Sequence, residues 1–320
     1  MHNITKIPLK PEAIQAIVAE QFGSQRRLIA CEELKDGFFN AAARLELDDG
    51  LCCVLKAAPH PRAHILHYER DILRAEVEAL RLVRAQTHVP VPQVLAYDSS
   101  HRLLESEYFL MEFLPGVPFH KLRPDCPQEV QEAVERQMGR MAYEIGSLHN
   151  PVFGYYAQPA APGVSWRTCF GSMLRGVLKD GEYAGVDLPL PYPELYRRLE
   201  AQFDVLESVT TPQLVHWDLW DGNVFVDPAT HAITGLIDFE RALWGDPLCE
   251  AIFRIPNPQG AYAQGYGEAL LDAPGARMRR QLYNIYLYLI MIIECTYRHY
   301  ATDAQERWSR EQLDLELKNF

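Results

Sequence analysis

HWDLWDGNVF, residues 216–225, sets two aspartates, an asparagine, a histidine and two tryptophans at the start of a strand-like run. Crowded acidic groups need a cation or a proton between them, or full hydration. Val224–Val226 reads as a short strand, the following DPATH as a turn, and Ile233–Ile237 as a second strand. Folding that hairpin about its midpoint brings Asn223 opposite Asp238, with Asp218 on the loop just before them. Hard oxygen ligands that leave room for water and phosphate suit Mg2+, which is commonly held by one or two carboxylates plus substrate phosphates.

An upstream hairpin supplies the opposite charge. AARLEL and LCCVLK are strand-like and meet at an Asp49-Gly50 turn, so Lys56 emerges at the same end as the DGFFN loop, residues 36–40. A loop of backbone N–H groups above a lysine is a reasonable phosphate cradle. A lysine drawn into a cleft needs a carboxylate to orient it, and Glu69, Glu76 and Glu78 on the next helix are the candidates.

The whole chain sets bounds. At 320 residues it can form one large domain or two modest ones, and 48% hydrophobic with 23% charged residues describes an ordinary globular protein. A net charge of -12 argues against a nucleic-acid binder that works by neutralising phosphates. Seven cysteines without a CxxC suggest neither a disulfide framework nor a zinc cluster, and a reducing cytoplasm fits them. The N-terminus lacks an apolar signal core. The most apolar run, from Leu282, contains Asn284 and Glu294 and is too short to span a bilayer, so a buried helix is expected and no membrane partner.

Along the chain come a helix from Pro11, three strand-like runs, a helical region from His64 to Ala85, and a strand at YFLMEF. LPGVPF, residues 114–119, is the joint between two lobes: residues 1–114 form a nucleotide-binding lobe and residues 115–320 a catalytic and acceptor-binding lobe. A long helix follows, then about 65 residues before His216, too many for one structureless loop. Helix-like segments around 170–178 and 193–206 occupy that interval. His60, His64 and His67 have helix-like spacing that could face a transition metal, although no cysteine completes the set and Pro61 interrupts it.

Taken together, and in this order along the chain, VLKAAP, AEVEALRLV…VPVPQVL, MEFLPG, HWDLWDGN and LIDFERALWGDP resemble the aminoglycoside phosphotransferase family, the small-molecule branch of the protein-kinase-like fold. The resemblance spans about residues 30–255. It implies an α+β bilobal fold with a small β-rich lobe and a larger, mainly helical one. It implies that Asp218 is the catalytic base, that Asn223 and Asp238 bind Mg2+, and that Lys56 holds the donor phosphates, paired with Glu76. Gly37 and Asn40 would belong to the nucleotide loop, backbone groups near Glu112 and Phe113 would meet the purine of ATP or GTP, and His216 and Asp246 would brace the catalytic loop. The sequence departs from the pattern at Trp217, where the family usually has glycine, at Trp220 and Asp221, which replace a frequent His-Pro, and in a nucleotide loop with one glycine.

Gly245-Asp246-Pro247 follows Asp238 closely and no A-P-E sequence appears, so the long activation segment of a protein kinase is missing. The reaction expected is transfer of a γ-phosphoryl group to a hydroxyl of a small acceptor such as an aminoglycoside or another amino-alcohol or sugar. Glu240, Glu250 and Glu294 are candidates for an acidic acceptor wall, and Tyr283, Tyr286 and Tyr297 either stack on substrate or belong to the core. The competing reading is a non-catalytic nucleotide-binding regulatory module on the same scaffold.

Overall fold

The structure, a computed structural model, describes residues 6–34, 37, 39–253, 260–267, 273–298, 300 and 302–320. Asp36 and Phe38 of the DGFFN loop lie outside them.

Helix α1 (Pro11–Phe22) starts on a proline, whose missing N–H costs nothing in a first turn, and buries Ile14, Ile17 and Val18. It covers the outer face of a five-stranded antiparallel sheet of order β1 (Leu28–Glu33), β2 (Ala41–Leu47), β3 (Cys52–Ala57), β5 (Tyr108–Glu112) and β4 (Val94–Asp98). Alternate residues of β2, from Ala41 to Leu47, are buried, as a sheet with one covered face requires. Its partner β3 is buried at every position from Cys53 to Ala57 because the other face is covered by α2 (Ile72–Gln86). Pairing of Ala42 with Lys56 fixes where the lysine emerges, and Gly50 turns the hairpin at φ +85°.

The helix expected from His64 to Ala85 begins later. Asp71 takes a left-handed backbone (φ +58°) ahead of α2, and the preceding segment makes only a short 3-10 turn at His67–Glu69. Leu66, Tyr68 and Glu69 turn inward there, so burial overrides the helical pattern.

After β5 the chain crosses at Gly116, which has φ +105°. A Cβ there would lie 2.7 Å from the Val226 carbonyl oxygen, so only glycine lets the linker run this close to the hairpin beyond it. The second half is mainly helical. It contains β6 (Val117–Pro118), α3 (Phe119–Leu122), α4 (Gln128–Gly146), β7 (Gly154–Tyr155), α5 (Trp166–Tyr183) and α6 (Tyr192–Glu200). Then come β8 (Gln213–Val215), β9 (Val224–Val226), β10 (Ile233–Leu236), β11 (Leu243–Gly245), α7 (Ala261–Tyr266), α8 (Ala276–Arg298) and α9 (Ala304–Lys318). Two small sheets, β10-β9-β6 and β7-β11-β8, carry the loops of interest.

The expected helices around 170–178 and 193–206 appear as α5 and as α6 followed by a 3-10 turn. The apolar run from Leu282 lies within α8, whose Ile285, Leu289, Ile292 and Ile293 are fully buried. No described helix is long and apolar enough to cross a membrane.

Candidate active site

The hairpin expected from the sequence forms: Val224 pairs with Leu236, and the Ile237 amide donates to the Asn223 carbonyl at 3.0 Å. Asn223 and Asp238 therefore leave at one end of it. The Asn223 amide nitrogen donates to the Asp218 backbone oxygen (2.8 Å) and reaches Asp218 Oδ2 at 3.3 Å. That orientation leaves its Oδ1 as the atom able to meet a cation. Asp238 sits in the left-handed region at φ +71°, a conformation that costs a non-glycine residue energy and tends to persist where surroundings fix it.

Lys56 comes across from β3. Its Nζ lies 2.6 Å from Glu76 Oε2, 2.5 Å from Asp238 Oδ1 and 3.3 Å from Glu240 Oε2. Of the three glutamates open as its partner, Glu76 makes the contact; Glu69 pairs with Arg298 and Glu78 with Arg74. Burial opposes the charge on Lys56, but Asp238, Glu76 and Glu240 outweigh it and hold the ammonium form. Asp238 is kept low by Lys56 against its own burial.

Three carboxylates around one ammonium leave surplus negative charge. Burial and the neighbouring acids push Glu76 up to about 8 despite Lys56, and push Glu240 up as well. The acidic oxygens of Glu76, Asp238 and Glu240 all lie within 4.8 Å of one another. Among the described residues, the buried Glu76 Oε1 and Asn40 Oδ1 have no hydrogen-bond partner. An all-oxygen donor set with excess charge fits Mg2+.

Asp218 is half-buried, and burial, joined by repulsion from Asp238 and Glu240 and opposed by Arg241, pushes its carboxyl up to about 8. His216 accepts the Asp218 amide on Nδ1 (3.2 Å) and places Nε2 2.9 Å from the Ile237 carbonyl, tying the loop to the hairpin. Asp246, 2% exposed, accepts from Arg279 Nε and the Tyr283 hydroxyl, both at 2.8 Å, and from the Leu248 amide at 3.0 Å. His216 thus links the Asp218 loop to the hairpin, and Asp246 links its own turn to α8.

The acidic acceptor wall does not form. Glu250, 3% exposed, spends its two oxygens on the backbone amides of Trp217 (2.6 Å) and Leu219 (3.0 Å). Glu294, equally buried, is taken by Arg241 (3.1 Å), Arg298 (3.2 Å) and Gln305 (2.7 Å). Glu240 joins the Lys56 cluster and accepts from Asn40 Nδ2 at 2.5 Å. Desolvated carboxylates find partners inside the fold, and all three are engaged there. Tyr283 and Tyr286 are core residues. Tyr297 hydrogen-bonds the Asp180 carbonyl. The three histidines do not converge: His60 contacts Glu105 and His67 contacts Asp180.

On the nucleotide side, Lys6 donates to the Gly37 carbonyl at 2.6 Å, and the space beside Gly37 is open. The Glu112 amide is used by the Gln93 carbonyl (2.9 Å), and the Phe113 ring lies under Arg44, 4.9 Å from its guanidinium carbon.

Sequence reasoning missed two supports of the loop. One is Glu250. The other is Trp217, which adopts φ +65° where a glycine would be unstrained, and stacks its buried indole on Tyr286 at 5.7 Å and 7°. The positive φ explains why this position favours glycine, and aromatic burial explains how tryptophan is tolerated. Beyond this aromatic wall, Tyr68, Tyr155 and α5 enclose a cavity of about 570 Å3.

An antiparallel sheet with a helix on each face, a short linker and a helical half bearing the paired hairpin loops define a kinase-like phosphotransferase. A model of the phosphotransferase enzyme family matches residues 30–282, and the chain belongs to that family, acting on hydroxyl groups of small molecules. It is similar to a ketoamine kinase by name from Vibrio cholerae serotype O1, 25% identical over 92% of this chain and 96% of the relative. Another so named, from Vibrio parahaemolyticus, is 26% identical over 72% and 77%. Among solved structures, one named for fructosamine-3-kinase from Thermobifida fusca superposes with TM-score 0.66 at 22% identity, covering 95% of this chain and 98% of that one. A thermostable mutant of aminoglycoside phosphotransferase APH(4)-Ia gives the same score at 19% identity, covering 95% and 98%. These two likenesses concern the fold.

Proposed function

We propose that the protein transfers the γ-phosphoryl group of ATP or GTP to a hydroxyl of a ketoamine-type acceptor, a sugar-derived amine. The observation that carries the phosphoryl-transfer reading is the convergence of Lys56, Glu76 and Asp238 within 2.6 Å contacts beside the Asp218–Asn223 pair. Residues 1–114 serve the nucleotide: Lys56 meets its phosphates, the loop containing Gly37 and Asn40 covers them, and the backbone near Glu112 and Phe113 faces the purine. Residues 115–320 serve catalysis. Asp218 accepts or orients the proton of the acceptor hydroxyl, a role for which a carboxyl raised towards neutrality is suited. Asp238 and Asn223 would hold Mg2+, with Glu240 adjoining; the ion, when bound, offsets phosphate charge. Most of the acceleration is then positioning and charge stabilisation by fixed groups.

The acceptor class rests on charge. A polycationic aminoglycoside needs free carboxylates, and Glu240, Glu250 and Glu294 are all engaged internally. Among the described residues, the cavity beside the loop brings His67, Arg175 and Lys179 to its lining and no carboxylate. A modestly charged sugar amine suits such surroundings better, and the relatives named as ketoamine kinases support it.

The test is an acceptor panel of ketoamines and aminoglycosides with ATP and with GTP, followed by product mass. One phosphoryl group added to a ketoamine is expected. Transfer to aminoglycosides alone would overturn the acceptor class, and nucleotide binding without transfer to any acceptor would favour the regulatory module.

A further inference from the structure

A chain of buried charges crosses between the two halves of the molecule, next to the site but outside it. Arg298, at the end of α8 and 7% exposed, donates to Glu69 in the segment that leads into α2. The same guanidinium lies 3.2 Å from Glu294 and 5.0 Å from the centre of the Phe39 ring. Glu69 is fixed in turn by the Leu66 amide at 2.8 Å, and Glu294 passes the chain on to Arg241 at 3.1 Å. Arg241 stands three residues after Asp238, its guanidinium over the Tyr68 ring at 5.8 Å.

Two features make this more than surface pairing. First, Phe39 is 4% exposed and adjoins Asn40, so the descending end of the nucleotide loop is held to the second half at consecutive residues, through Arg298 and through Glu240. Second, all four charged groups are desolvated, where a broken pair leaves an uncompensated charge and a fully formed network restricts the fold to one arrangement.

We propose that Arg298 is a positioning residue: with Glu69 and Phe39 it latches the nucleotide loop and the start of α2 onto α8, setting the distance between the donor phosphates at Lys56 and the acceptor hydroxyl at Asp218. The catalytic part of this inference rests on the phosphoryl-transfer reading above. A latch of this kind acts on turnover, because it aligns the two substrates, and has little effect on how tightly the nucleotide alone is held. Misplacement by about 1 Å can cost about 10²-fold in rate.

The experiment uses the full chain with Arg298→Met, Arg298→Lys, Glu69→Gln and the Glu69→Gln/Arg298→Met pair. Amide hydrogen exchange and steady-state kinetics are measured on each. In Arg298→Met, exchange at residues 39–42 and 66–70 should quicken while β4 and β5 keep their protection. Turnover should fall about 10- to 100-fold with the nucleotide KM within about 3-fold, and the double variant should be no worse than the worse single. Arg298→Lys keeps the charge, but on a shorter side chain with one nitrogen, which loses the Nη1 bond to the Tyr300 hydroxyl (3.0 Å), so it should recover only part of the rate; it carries the same test if the methionine variant does not fold. Unchanged exchange, unchanged turnover, full recovery by lysine, or effects that multiply in the double variant would each overturn the latch. A wild-type protein inactive on every acceptor, with exchange still quickened in Arg298→Met, would instead remove the phosphoryl-transfer reading and leave the contact standing.

Discussion

Asp218 and its neighbour Trp217 show how single residues divide the work. Replacing Asp218 with asparagine should cut turnover by about 10²–10⁴-fold, while nucleotide affinity measured by calorimetry stays nearly constant. The pH dependence follows from a carboxyl pushed up to about 8 by burial and by Asp238 and Glu240. Below that value the group is protonated and cannot accept a proton, so turnover rises with pH through this range. A bound cation favours the carboxylate, so the rise should move to lower pH as Mg2+ is increased. A flat profile from pH 6 to 9 at low Mg2+ would remove Asp218 as the titrating base. For Trp217→Gly, relief of a left-handed backbone contributes roughly 1–2 kcal/mol, whereas loss of the buried indole costs about 3–5 kcal/mol. Urea unfolding should therefore show net destabilisation even though glycine suits the backbone.

The loop around Asp218 makes only a short 3-10 turn of its own, at Asp221–Asn223, and neighbours supply further anchors. Glu250 binds two of its amides from beyond β11, and His216 ties it to β10 through the Ile237 carbonyl. Hydrogen bonds to a buried charge contribute about 1.5–3 kcal/mol each, so Glu250→Gln should lower the unfolding midpoint and reduce kcat more than it changes the nucleotide KM. Equal kcat in wild type and variant would show that the loop holds its shape unaided. The same scale explains the hinge, where the linker at Gly116 passes against Val226 too closely for a side chain.

At the scale of the molecule, two buried ion systems besides the Lys56 cluster join elements far apart in sequence. Asp246 binds α8 through Arg279 and Tyr283, and the Arg298 chain binds α8 to the first half. Arg279→Met would leave Asp246 buried without its cation, a loss of roughly 3–5 kcal/mol measurable by chemical denaturation. An unchanged midpoint would mean that Tyr283 and the Leu248 amide suffice. α8 thus meets the loop before Asp218 through Tyr286, the turn at Asp246 through Arg279 and Tyr283, and Phe39 through Arg298.

Local chemistry in the sequence determined much of this. A turn at Asp49-Gly50 and the hairpin after Asn223 leave little choice about where Lys56 and Asp238 emerge, because strand register converts residue count directly into position. The order of strands and helices follows from the same kind of pattern. Tertiary structure decided the rest. Which glutamate meets Lys56, where the helix before Ala85 begins, and why Glu250 and Glu294 turn inward depend on partners contributed by distant segments. A carboxylate looks the same in sequence whether it faces solvent, a backbone amide or an arginine; burial, which only the assembled fold creates, makes it choose.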